Sequence, residues 1–190
     1  MKQEQGFTTI ELLISLAILL LIVEAVGVFL WASQRDWEVA DRQVEVLQNA
    51  RIALDSVVRD VRSAQWFEAI DTGVDRGRLC YVVVRPNGVE ELREVRSDGQ
   101  SLFLRVGQRG RGRSCTFAPG SEEDVLADQV TSFRLTALDE ENDPIDNPVP
   151  GQLDRVRSVQ IRITVQDPEG AVPQVVLLSQ AARRADGVAE

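Results

Sequence analysis

The sequence contains no histidine. That excludes a histidine-based catalytic triad, an imidazole general base and any histidine-ligated metal. It contains only two cysteines, too few for a structural zinc site made of cysteine alone. Aromatic residues are 5% of the chain, which leaves little for an aromatic ligand cage. Basic residues are outnumbered 21 to 30, giving a net charge of −9. A chain of that sign has no global electrostatic attraction for nucleic acid. These shortages weigh against an enzyme, and no cofactor is expected. What remains is 190 residues with 44% apolar content, enough to bury the core of one ordinary domain.

The apolar residues are concentrated at one end. From Ile10 to Ala32 only Glu11, Ser15 and Glu24 interrupt the run. About 23 residues at about 1.5 Å each cover roughly 30 Å of hydrocarbon, the length of a membrane helix. A cleavable secretory signal would end in a small-residue site. Gln34, Arg35 and Asp36 follow here instead, and the polar leader Met1-Lys2-Gln3-Glu4-Gln5-Gly6 precedes the run. The pattern is that of a single-span anchor followed by a domain of mixed composition.

The stretch Gly6-Phe7-Thr8-Thr9-Ile10-Glu11-Leu12-Leu13 resembles the class III prepilin signal of type IV pilins and type II secretion pseudopilins. The resemblance implies that a prepilin peptidase cuts after Gly6 and that the new N-terminus, Phe7, is methylated. Glu11 then falls where the family carries its glutamate, the fifth residue of the mature chain. Two departures stand out: Thr9 replaces a common leucine, and the leader carries Glu4 beside Lys2 where many leaders are more basic.

A carboxylate in hydrocarbon costs on the order of 2–3 kcal/mol or more at a helix centre. In a filament of packed helices, Glu11 can meet the free amine of a neighbouring Phe7 and set the stagger between subunits. The alternative is that Glu11 lies near the cytoplasmic interface and snorkels. Glu24 lies about 220° round the helix from Glu11, on a different side. It reads either as an interfacial or protonated carboxylate or as a contact with a partner subunit. Trp31 suits the outer interface.

Proline is absent before Pro86, and Gly27 is the only glycine between Phe7 and Thr72. Val44, Leu47, Ala50, Leu54, Val57, Val58, Val61 and Ala64 repeat at three and four, one apolar stripe on a helix. These features predict one nearly continuous helix over 8–66, with a break at 33–36 as the alternative. The segment from Gln48 to Arg62 is similar to the corresponding helix of larger minor pilins and of J-type minor pseudopilins.

Beyond the helix the pattern is that of strands. They are expected at Arg78–Arg85, Val89–Arg96, Ser101–Val106, Ser114–Phe117, Val130–Leu138, Arg155–Val165 and Val172–Ser179. Turns are expected at Pro86-Asn87-Gly88 and from Ser97 to Gln100. The implied class is α+β, a long N-terminal helix packed on an antiparallel sheet. The expected divisions are a leader at 1–6, a transmembrane and assembly helix at 7–32, its amphipathic continuation at 33–66, a β-rich domain at 67–182 and a frayed tail at 183–190.

Three further groups are candidate sites. Cys80 and Cys115 read as an intrachain disulfide in an oxidising compartment or as two buried thiols. Arg109-Gly110-Arg111-Gly112-Arg113 is a dense basic patch, either a solvated loop or a docking patch for an acidic neighbour; nucleic-acid contact is not expected. Asp139, Glu141 and Asp143 form a weak calcium candidate, because Pro144 stands where an EF-hand-like loop needs glycine.

The reading that joins these features is a minor pilin-like structural subunit of a type IV pilus. The alternatives are a minor pseudopilin of a type II secretion system and an uncut signal-anchored binding protein. The implied partners are other minor and major pilins or pseudopilins, the prepilin peptidase and the inner-membrane assembly platform. The implied location is the inner membrane, single-pass with the domain outside the cytoplasm, and then the pilus or pseudopilus.

Overall fold

The structure, a computed structural model, describes residues 8–109, 114–118, 121–166 and 174–183. The chain divides into two compact units, residues 1–42 and 43–190. Helix α1 covers Thr9–Ser63. With no proline and a single glycine in it, the backbone ladder runs unbroken, and residues 33–36 are helical.

In the second unit, Ala50, Ala53, Leu54, Val57, Val58 and Val61 are the buried stripe of α1. Val44, expected in that stripe, is 59% exposed. The helix ends three residues short of the expected boundary, and Ala64–Asp71 is a strand, β1. Ala64, Phe67 and Ile70 are all buried at three-residue spacing, which mimics one more helical stripe. In the strand, register shifts between Ala64 and Trp66 and between Phe67 and Ala69 produce that spacing. Each shift inserts a residue, so the inward face recurs at three instead of two.

Two antiparallel sheets follow. Sheet A is a meander of β1, β2 (Arg78–Val84), β3 (Glu90–Ser97), β4 (Ser101–Gln108) and β5 (Glu122–Asp128). Sheet B has the order β7 (Pro144–Ile145), β6 (Val130–Leu138), β8 (Ser158–Val165), β9 (Val175–Ala182). The expected antiparallel β-rich domain is thus built of two sheets. β1 and β5 lie outside the expected strands. Ser114–Phe117 is an unpaired loop, and the last strand runs to Ala182, three residues past the expected Val172–Ser179. Most of β5 is acidic and only Ala127 of it is buried, so neither propensity nor alternation marks it.

The sheets share one core with the helix. Phe67, Leu79, Tyr81, Val95 and Leu102 of sheet A meet Phe133, Leu135, Val159, Ile161 and Ile163 of sheet B and the α1 stripe. At the seam, the Gly77 amide donates to the Phe133 carbonyl at 2.7 Å and the Phe133 amide to the Asp75 carbonyl at 2.7 Å. A Cβ on Gly77 would lie 2.6 Å from the Phe133 carbonyl oxygen, so only glycine lets the two backbones approach.

A polar joint fixes the helix on sheet A. Asp60 Oδ2 accepts from Arg93 at 2.6 Å and from the Tyr81 hydroxyl at 3.1 Å. Arg93 also donates to Glu91 at 3.0 Å, and Arg85 lies 2.6 Å from Glu91. Burial pushes the Tyr81 phenol, helped by the Asp60 charge, well above its ordinary range. Burial acts to raise Glu91, but bonds from Arg85 and Arg93 and their charges outweigh it and hold that carboxyl below the usual range.

The outer face of sheet A carries a second, smaller cluster. Cys80, Val82 and Leu92 are buried there under Trp66, Ala69, Cys115 and Phe117. Cys80 and Cys115 are joined as a disulfide across 35 residues, with Cα atoms 6.2 Å apart. Arg78 pairs with Glu94 and donates to the Cys115 carbonyl at 3.1 Å, so the covering loop is held by charge as well. Both faces of β2 are thus covered, which explains its nearly unbroken apolar sequence.

Arg93→Met should lower the melting temperature of the detergent-solubilised chain by about 5–10 °C, the equivalent of about 2–3 kcal/mol. Because Glu91 binds its proton less readily when folded, stability should be full above about pH 5 and fall as pH drops through the folded value. Tyr81 holds its proton more tightly when folded, so stability should fall again above about pH 10. Thermal unfolding across pH checks both limbs, and Tyr81→Phe should flatten the alkaline one. Replacing Cys80 and Cys115 by serine should cost roughly 3–4 kcal/mol in the same assay, the loop-closure value for that separation.

Candidate assembly segment

In the first unit, α1 is long and apolar enough to cross a membrane, and its apolar window is not buried against protein. Phe29 is 72% exposed and Trp31 68%. Apolar surface of that extent in a protein marks contact with lipid or with other chains.

The helix start is a capping box. The Thr8 hydroxyl accepts from the Glu11 amide at 3.3 Å, while Glu11 Oε2 accepts from the Thr8 amide at 3.3 Å. The Thr8 hydroxyl also donates to Glu11 Oε2 at 3.2 Å. The Ser15 hydroxyl donates to the Glu11 carbonyl at 2.8 Å. A carboxylate three residues inside a helix start satisfies amides that hydrocarbon would leave unpaired and faces the positive end of the helix dipole. Much of the cost of placing Glu11 in an apolar run is therefore offset within its own chain. The signal was present in the sequence as threonine, two residues, then glutamate ahead of an apolar run. Gly6 and Phe7 lie outside the described residues. Glu24 has no partner among the described residues and sits within the apolar stretch.

The basic patch divides. Residues 110–113 lie outside the described residues, but Arg109 is not a free loop cation. Its guanidinium stacks 4.7 Å from the Trp66 ring, lies 3.2 Å from Glu68 and 2.7 Å from Glu90. Glu68 is the residue inserted by the second register shift of β1, and its side chain is 1% exposed. Trp66 Nε1 donates to it at 3.0 Å. This group was not found from the sequence, because Trp66 and Glu68 were assigned to the helix end and the adjoining loop.

The acidic candidates do not converge. Asp139 Oδ1 accepts from the Glu141 amide at 3.1 Å and the Asp143 amide at 2.8 Å, so its carboxylate closes its own turn. Asn142 takes a positive φ of 67° within that turn. Among the described residues no three cysteine, aspartate or glutamate side chains come together as a metal site. The loop holding the weak calcium candidates Asp139, Glu141 and Asp143 is organised by backbone hydrogen bonds.

Neither a family profile nor a curated protein sequence matches the chain. Among solved structures, it is similar to a type IV-like pilin from Thermus thermophilus, with a TM-score of 0.52 and 10% identity over 73% of this chain and 97% of that one. At that identity the likeness concerns the fold. One long N-terminal helix packed on antiparallel sheets is a type IV pilin-like fold.

Proposed function

We propose that this chain is a minor pilin-like subunit, made as a prepilin, cut after Gly6, methylated at Phe7 and inserted into a type IV pilus. The observation that carries the reading is the junction of two features. A Gly6-Phe7-Thr8-Thr9-Ile10-Glu11 signal opens an uncovered apolar helix, and that helix continues into a domain of pilin-like fold. The membrane half anchors the subunit in the inner membrane, with the domain outside the cytoplasm, and then packs among other pilins. The prepilin peptidase and the assembly platform are the partners this life cycle requires. The likeness of the segment from Gln48 to Arg62 to J-type subunits favours a second reading, a minor pseudopilin of a type II secretion system. Co-purification with pilus or with secretion components separates the two.

In this reading Glu11 has two roles. It caps its own helix, and it receives the Phe7 amine of a neighbouring subunit.

Intact-mass analysis of the chain from native membranes should give a species beginning at Phe7 with one added methyl group. A chain still beginning at Met1, in cells with active prepilin peptidase, would make it an uncut signal-anchored protein instead. Glu11→Gln keeps a capping side chain but removes the charge. It should insert and fold normally yet fall at least about tenfold in filament incorporation, since tenfold is about 1.4 kcal/mol and a desolvated pair is worth at least that. Wild-type incorporation of Glu11→Gln would reduce Glu11 to a capping residue.

A further inference from the structure

Strand β9 (Val175–Ala182) is the outer strand of sheet B and, among the described residues, pairs with β8 alone. Its sequence, VVLLSQAA, is eight residues without a charge. Every second residue of such a strand turns its amide and carbonyl away from the sheet. A long uncharged edge is a template for pairing with another chain, and proteins normally shorten, charge, bend or cover such edges. The other edges of this domain follow that rule. β7 is two residues long, β1 is broken by two register shifts, and β5 carries Glu122, Glu123, Asp124 and Asp128.

The register fixes what each face of that edge presents. On the inner face Phe133, Ile163 and Leu177 form one row across β6, β8 and β9. Phe133 and Ile163 are fully buried, but Leu177 is only half-buried, since no described strand lies beyond it. On the outer face Arg134, Arg162 and Leu178 form the corresponding row, and Leu178 is 54% exposed. The chain has 30 acidic residues, yet none lies in β6, β7, β8 or β9. Like charges in register repel unless something compensates them. Arg134 is compensated by Asp75, which lies between β1 and β2, at 2.7 Å. Arg162 is exposed and has no partner among the described residues.

These two faces dictate the strand that completes the sheet. Side chains turned to the core have to be apolar, to finish the row of Leu177. Side chains on the other face have to include an acid, to meet Arg162. Two strand spacings, about 10 Å, separate Arg162 from the incoming residue of its row. An arginine and a glutamate extended over Leu178 bridge that distance, and their stems cover the leucine. Apolar inward and glutamate outward is a simple alternation, so one strand serves both faces. The described edges of this chain do not supply it. A second β9 brings a second row of arginines and no acid. In β5 the acids Glu122, Glu123 and Asp124 are consecutive and so occupy both faces.

We infer that β9 is completed by an extended segment of a different subunit, apolar on the face turned to the core and bearing glutamate on the face of Arg162. The inference rests on the reading that this chain joins an assembly of several kinds of subunit.

Peptide binding to the detergent-solubilised full chain tests it. The probe is a fluorescein-labelled amide of Ser-Val-Glu-Val-Glu-Val-Glu-Val-Ser, followed by anisotropy. It should bind saturably. The same peptide with lysine for glutamate should bind at least about tenfold more weakly, and Arg162→Glu should invert that preference. Arg162→Gln, a milder change, should abolish the preference, and the melting temperature of each variant checks the fold. Of two N-methylated probes, one methylated on the valines and one on the glutamates, one should lose at least about tenfold and the other stay within about threefold, because only every second residue bonds to β9. The inference is overturned by no binding at about 1 mM peptide, by an unchanged preference in both variants, or by equal binding of the two methylated probes. In native membranes Leu178→benzoylphenylalanine should photo-cross-link to a different chain, at a segment that alternates apolar residues with glutamate. A link to a second copy of this chain, a link to a segment without acid, or no link would overturn it as well. The N-terminal residue of the purified chain is read by mass spectrometry in the same samples. A chain that begins at Met1 and binds keeps the edge site and removes the prepilin reading. A chain that begins at Phe7 and does not bind removes the strand contact alone.

Discussion

The structure depends on one burial: the stripe Ala50, Ala53, Leu54, Val57, Val58 and Val61 against the inner faces of two sheets. A two-sheet domain of short strands has more apolar inner surface than the sheets can cover for each other when they meet at a seam. The helix closes that surface. Small residues at Ala50 and Ala53 let the helix approach, and the valines fill the space between facing strands. The joint of Asp60, Arg93 and Tyr81 contributes orientation more than burial energy, because a part-buried ion pair offsets much of its own desolvation. A hydrogen-bonded pair that fits only one rotation of the helix selects that rotation.

The outer face of sheet A is covered separately from the inner one. Of the described residues in the loop after β4, Cys115 and Phe117 reach the small cluster over Val82 and Leu92. A covalent bond to Cys80 and the Arg78 bond to the Cys115 carbonyl do what packing alone would not. Nearby, the buried Glu68 is tolerated because Arg109 and the Trp66 indole both face it. Among the described residues sheet B's outer face leaves Val176 and Leu178 exposed, so the two sheets are finished differently.

At the other end of the chain the governing constraint is the solvent. In hydrocarbon an unpaired amide is expensive, so a helix that begins there must supply its own acceptors. The Thr8 and Glu11 pair does so. A glutamate that looks costly by hydropathy alone is at the same time the residue that caps the first turn of its own helix.

Much of this was legible in the sequence. The apolar run, the absence of helix breakers before Thr72 and the alternation of β6 and β8 are local periodicities, and local periodicity survives without knowledge of the fold. The α+β class and the long helix followed directly from them. What the sequence obscured has a common cause: the signal was non-local. Ala64, Phe67 and Ile70 repeat at helical spacing, and only their pairing with β2 makes them a bulged strand. β5 is acidic, and only β4 beside it makes it a strand at all. Asp139, Glu141 and Asp143 resemble a ligand set in order but not in space, because the Asp139 carboxylate is taken by backbone amides of its own turn. The sequence by itself determined where the long apolar run lies, where its helix starts and which residues of β6 and β8 face inward, since these depend on neighbours within a turn or two. Only the tertiary structure decided that there are two sheets, which edges stay open and which charges find partners, because those depend on residues that folding brings together from distant parts of the chain.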